Sequence, residues 1–304
     1  MSSLYYRKHQ RNADLRVVET FNRAGLYDLH TPSADAAKIL YTPGKDKNAP
    51  VCIILEGYRG DGINGANNIK ISNIFEEYGF AVAQVNYSRY NHYNGVDTDE
   101  YLGRADTATL QTNIENFAAI SNLDIKRDNI VFSNSFSINV AIGALRQEKI
   151  SDNVKHIIAA APFPNFAQIA VLSQLENKRT DEAIKARSDL NEYGFFLHGP
   201  PDSTCQVKFT KQFLDDVKSN SRSYNLFSDE LANLEHKPTI DLIYSKNDPV
   251  APASLTDKWA AHMRACGFNF SKPSILKATS HSFTNEFYRS FRPKVRALAK
   301  EYGL

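Results

Sequence analysis

The sequence of 304 residues predicts an α/β protein: a mostly parallel sheet flanked by helices, with a helical cap inserted between late strands. Three observations lead there. Short apolar runs alternate with segments of helical period, the pattern of successive βα units. One run, V-C-I-I-L at 51–55, is apolar without interruption, which suits a strand covered on both faces. Residues 165–235 then break the alternation with a charged, aromatic-rich stretch of helical pattern.

The elements follow in order. Residues 36–41 read as a strand closed by Thr42-Pro43-Gly44, and 51–55 as a second, closed by Glu56-Gly57 and the loop R-G-D-G-I-N-G-A-N-N. A helix over 68–78 carries Ile69, Ile71, Ile74 and Phe75 and ends at Gly79. A strand over 80–86 follows, then a helix over 106–122 with Leu110, Ile114, Phe117 and Ala118 on one face. Residues 129–132 form a short strand that passes at once into a helix over 138–145, and 155–161 a strand closed by P-F-P. The stretch 165–235 is broken by Gly199-Pro200-Pro201 and offers no core strand. It reads as a cap over the C-terminal edge of the sheet; the competing reading is a second, independent domain. Residues 1–164 and 236–304 then make the core, with a strand at 239–245, a helix at 253–265, a strand at 274–278 and a last helix from Thr284 that Pro293 should kink.

Composition narrows the function. Lys plus Arg is 36 and Asp plus Glu is 34, a net charge of +2 with both signs interspersed, which argues against a nucleic-acid surface. Cys52, Cys205 and Cys266 are odd in number and widely spaced, so neither a disulfide framework nor a zinc site is expected. No apolar leader and no run near the ~18 residues of a membrane span is present, so a cytoplasmic protein is expected.

The chemistry centres on I-V-F-S-N-S-F-S at 130–137, where strand passes into helix with Ser135 at the corner. That is the context of a nucleophile elbow, normally G-x-S-x-G, whose flanking positions must be small because strand and helix pack closely there. Here both are serine, Ser133 and Ser137, and either is an alternative turn residue. A serine near a helix start is also favoured simply as a cap. A serine hydroxyl needs a base to take its proton and a third group to orient the base. I-D-L-I-Y-S-K-N-D at 240–248 puts Asp248 just past a strand, and P-S-I-L-K-A-T-S-H at 273–281 puts His281 just past the next. Asp248 before Pro249 also reads as a turn residue, and His281 as a helix cap. The order Ser, Asp, His is nonetheless that of an α/β hydrolase. Two backbone N–H groups should face the developing oxyanion: that of Phe136, after the nucleophile, and that of Tyr58, with Gly57 allowing close approach.

Over most of residues 36–304 the chain resembles the α/β-hydrolase superfamily. Within it, S-H-S-F-T-N-E at 280–286, the E-G-Y loop at 56–58 and the serine-flanked elbow are similar to acyl-carrier thioesterases of bacterial luminescence systems. The resemblance implies a Ser-Asp-His triad and cleavage or transfer of an acyl group held as a thioester. The elbow departs from the family in lacking both glycines, and Glu56 stands where many hydrolases have histidine. These departures bear on substrate and rate more than on fold.

The expected activity is a serine hydrolase acting on a small-molecule acyl ester or thioester, free or carrier-bound. Ser135 is the nucleophile, His281 the base and Asp248 its orienter, with Glu56, Gly57, Tyr87 and His92 as substrate-binding candidates. Tyr87 and His92 belong to N-Y-S-R-Y-N-H-Y-N, a loop leaving a strand on the side of the sheet where ligands bind. Phe195, Phe196 and Phe209 are candidates to shelter an apolar group. The 59–68 loop is neither a phosphate loop nor a calcium loop, so no metal and no cofactor is expected. Rival readings are a carbon–carbon bond hydrolase or an acyltransferase using the same triad, and a non-catalytic binding module.

Overall fold

The computed structural model describes residues 24–31, 34–55, 57, 65–86, 91–92, 109–122, 127–150, 152–177, 179–198 and 206–304. The described strands are β1 (Gly25–Thr31), β2 (Ala34–Thr42), β3 (Val51–Leu55), β4 (Ala81–Asn86), β5 (Asn91–His92), β6 (Asn129–Asn134), β7 (Val154–Ala160), β8 (Phe195–His198), β9 (Gln206–Thr210), β10 (Thr239–Ser245) and β11 (Ser274–Leu276). Eight of them form one sheet in the order β1-β2-β4-β3-β6-β7-β10-β11. The β1–β2 and β2–β4 pairs are antiparallel and all the others are parallel.

Helices cover both faces. These are α1 (Ala66–Glu77), α2 (Leu110–Ser121), α3 (Ser137–Arg146), α4 (Ser173–Asn177), α5 (Asp181–Tyr193), α6 (Lys211–Ser219), α7 (Ala253–Ala265) and α8 (Asn285–Glu301). The unbroken apolar run of β3 is explained by its alternation. Val51, Ile53 and Leu55 join the apolar cluster that holds Ile114 and Phe117 of α2 and Trp259 of α7. Cys52 and Ile54 join the cluster with Ile71 and Phe75 of α1 and Phe291 and Val295 of α8. A strand buried on both faces has no position for a polar side chain, so it carries none.

This topology places the site. From β3 the chain moves outward to β4 and then returns past β3 to β6, so the strand order reverses between β3 and β6. Where strand order reverses, the loops leaving the C-terminal ends of the two strands part and leave a crevice.

The segment between β7 and β10 is not wholly helical. It runs through a wide helical turn at Ala167–Leu172, then α4 and α5, then β8 and β9, then α6 and a short turn of helix at Asp229–Asn233. β8 and β9 pair antiparallel, and β9 pairs with β5. These strands are four, five and two residues long, too short for a period-two pattern to stand out. The segment is tied to the core. Asp216 of α6 accepts the N–H groups of Leu110 (3.0 Å) and Gln111 (3.3 Å) at the start of α2. Phe209, Phe213 and Val217 share the apolar cluster of β3 and α2. α8 runs through Pro293 from Asn285 to Glu301 without ending there.

Candidate active site

Ser135 follows the last residue of β6 and precedes Phe136, which starts α3. Its φ of 51° lies in the left-handed region that non-glycine residues seldom occupy. The surrounding backbone fixes it there: Ser135 N–H donates to Ala160 O at 2.9 Å, and Phe163 N–H donates to Ser135 O at 3.1 Å. Observed strain at one polar residue in a crevice is a pointer to function. Neither flanking serine has a positive φ, and both are fully buried, so Ser135 is the turn residue of the three.

The other two side chains follow the last two strands of the sheet, β10 and β11. Asp248 lies three residues past the end of β10 and His281 five past the end of β11. His281 Nε2 is 2.8 Å from Ser135 Oγ, and His281 Nδ1 is 2.8 Å from Asp248 Oδ2. With the carboxylate receiving the Nδ1 proton, Nε2 is left as acceptor for the serine hydroxyl. The other carboxylate oxygen, Oδ1, accepts the N–H groups of Val250 (2.8 Å) and Ala251 (2.9 Å). Asp248 thus uses one oxygen in the turn and the other to meet the imidazole. Burial alone would raise this carboxyl, but the hydrogen bonds from His281, Ala251 and Val250 outweigh it and hold the group below the usual carboxylate range.

The loop that carries His281 is braced by a residue of the S-H-S-F-T-N-E stretch. Glu286 accepts the N–H groups of Lys277 (3.0 Å) and Ala278 (3.0 Å), which lowers its own pKa. Thr284 caps α8 by accepting from Phe287 N–H at 3.3 Å. Ser245 Oγ also donates to Ala278 O, tying the loop to β10.

A cavity of about 1060 Å³ opens onto Ser135, His281, Asn134 and Gly57. A Cβ on Gly57 would come 2.8 Å from Asn134 Nδ2, so the glycine lets the chain there lie close against the Asn134 carboxamide. One wall comes from β7's exit and the inserted segment: Phe163, Phe166, Ile169, Leu175, Phe196 and Phe209. Phe196 and Phe209 stack at 5.2 Å, and Phe163 and Phe166 meet edge-on at the same distance. Phe195 does not line the cavity with them, because successive residues of a strand face opposite ways. Polar lining comes from Asn67 and Asn68 at the start of α1 and from Lys258 of α7.

Of the residues singled out from sequence, Ser135, His281, Gly57, Phe196 and Phe209 line this cavity, Asp248 bonds to His281 behind it, and Phe136 adjoins Ser135. Glu56, Tyr58 and Tyr87 lie outside the described residues. Only the backbone of His92 is described, paired with Gln206 of β9. Sequence reasoning missed Asn134, Asn67, Asn68, Phe163 and Phe166. The signal for the two phenylalanines was their place just past a strand's C-terminal end.

Comparison of folds places the chain among known architectures. It superposes on Est1E from Butyrivibrio proteoclasticus with a TM-score of 0.63 at 14% identity, covering 91% of this chain and 98% of that one. Alpha/beta hydrolase domain-containing protein 10 from mouse gives a TM-score of 0.61 at 13% identity, covering 92% and 100%. A soluble variant of monoglyceride lipase from Saccharomyces cerevisiae, in complex with a substrate analog, gives 0.62 at 8% identity, covering 92% and 95%. The chain has the α/β-hydrolase fold. No protein-family model matches it, and no curated protein matches it by sequence.

Proposed function

We propose that the protein is a serine hydrolase that cleaves small-molecule acyl esters or thioesters through a covalent acyl-enzyme. The reading is carried by one observation: the unbroken hydrogen-bonded line from Asp248 through His281 to Ser135, 2.8 Å at each step, at the crevice where the strand order reverses.

In this mechanism Ser135 Oγ attacks the acyl carbonyl as His281 Nε2 takes its proton. Asp248 keeps the imidazole in the required tautomer and stabilises its cation. The N–H groups of Phe136 and Tyr58 receive the oxyanion of the tetrahedral intermediate. The intermediate collapses, the bond to the leaving alcohol or thiol breaks, and His281 returns the proton to it. Water then attacks the acyl-serine with His281 again as base, releasing the acid and restoring the hydroxyl. Residues 165–235 act as the cap, and their phenylalanines hold the apolar part of the substrate. The similar structures reported with ligands, Est1E with ferulic acid and the lipase with a substrate analog, agree with a small-molecule substrate.

The test is labelling with a fluorophosphonate probe beside hydrolysis of a panel of p-nitrophenyl esters and acyl thioesters. Wild type should label and turn over at least one class; Ser135→Ala should do neither while unfolding at nearly the same temperature. Turnover of either class by Ser135→Ala at the wild-type rate would remove this serine from the mechanism. Folded wild type that neither labels nor hydrolyses would favour a binding module.

A further inference from the structure

We propose that Ser137 is a positioning residue for the chemistry at Ser135, its buried hydroxyl locking the exit of β3 to the nucleophile corner. The inference rests on the reading of Ser135 as nucleophile given above.

At this corner a glycine is usual two residues after the nucleophile, because helix and strand leave little room for a side chain. Ser137 is nevertheless fully buried, and its Oγ is used to capacity. It accepts the Asn134 N–H at 2.7 Å, and its own proton has two carbonyls in reach, Asn134 O at 2.9 Å and Leu55 O at 3.2 Å. Ser133 Oγ, equally buried, stands 3.1 Å away, and donates to Ser137 Oγ when the Ser137 proton goes to a carbonyl. A hydroxyl has one proton to give and two lone pairs to receive with, so this set saturates it.

The partners matter more than their number. Asn134 immediately precedes Ser135. Leu55 is the last residue of β3, two before Gly57, and in the last described pair of the β3–β6 ladder it stands in register with Ser133. The Ser137 hydroxyl sits beside that pair: it accepts the N–H of Asn134 on one strand, and its single proton is shared between the carbonyl of Asn134 and that of Leu55 on the other. The same two segments touch again one step further on, where Gly57 lies against the Asn134 carboxamide. Two contacts therefore fix the root of the 56–58 loop relative to the nucleophile, and that loop is expected to carry the second oxyanion donor. Oxyanion donors act only when held in place before the charge forms, and a misplacement of about 1 Å costs on the order of 100-fold in rate.

The experiment is kinetics normalised to the number of serines titrated by a fluorophosphonate probe. Ser137→Ala and Ser137→Gly are both made, glycine being the residue the corner ordinarily takes and so a safeguard on folding. The expected result is a kcat per titrated serine lower by roughly 10- to 100-fold in both, with KM changed by no more than about threefold. Ser133→Ala, which removes only a donor to Ser137, should lose less than either. A kcat per titrated serine within about twofold of wild type in both Ser137 variants overturns the proposal. So does activity lost solely as fewer titratable serines, since that marks a role in folding alone. Wild type that takes up no probe overturns the nucleophile assignment itself, and the proposal with it.

Discussion

At the scale of single residues, Asp248 does two jobs with two oxygens, and each has its own readout. Replacing it by Asn leaves an acceptor for the Val250 and Ala251 N–H groups but removes the charge that faces His281. The proposed mechanism then predicts a kcat lower by about 10⁴, as for carboxylates in the same role elsewhere. A rate within tenfold of wild type would place the orienting acid elsewhere. Stability carries a second signature. The folded carboxyl sits below its ordinary value, so the folded state favours the charged form. That contribution is complete above about pH 4, where the unfolded carboxyl ionises, and is lost as pH falls through the lowered folded value. Urea midpoints followed downward from neutral pH should therefore fall more steeply in wild type than in Asp248→Asn; parallel curves would contradict the sign.

At the scale of elements, what the sequence revealed depended on burial. β3, β10 and α7 are legible to within a residue or two: the two strands are almost wholly buried, and α7 buries Thr256, Trp259, Ala260 and Met263 at helical spacing. β1 is not: it is an edge strand, its alternation broken by a register shift between Leu29 and Thr31. β5, β8 and β9 are hidden by their brevity. Two predictions belong here. Gly44 lies two residues past the end of β2, and a Cβ there would lie 2.5 Å from Ala49 Cβ, 2.7 Å from Ala81 N and 2.8 Å from Gly79 O. Two of those atoms are backbone and cannot swing aside. Gly44→Ala should cost about 2–3 kcal/mol in a denaturant titration, with activity per folded molecule unchanged. Ile169 lines the cavity but is 40% exposed, so its loss empties little core. Ile169→Ser should raise KM for long-chain esters, leave acetyl esters unaffected and barely move the melting temperature. An equal change for both ester lengths would take the inserted segment out of substrate binding.

At the scale of the whole molecule, the site was more legible than the walls around it. Three side chains at strand ends in the right order can be read along a sequence; a cavity assembled from β7's exit, α1 and an inserted segment cannot, because nothing local marks which residues meet. Alkaline stability is likewise a property of the assembled protein. Burial, reinforced at Tyr244 by Asp257, raises the phenols of Tyr244 and Tyr288 to about 12, and burial raises Tyr302 too. Unfolded tyrosines ionise near pH 10, so above that the unfolded chain loses protons first. The stabilisation is intact below about pH 10 and disappears as pH rises through about 12. Melting temperature should decline over that window as phenolate absorbance grows, and a flat profile would refute it. The order of the strands has a final consequence for synthesis. Ser135 leaves the ribosome long before His281, and α8, which seats the histidine loop, is translated after it. Under the proposed mechanism a nascent chain thus carries an inert hydroxyl, and reactivity is switched on only when the last strand and helix dock.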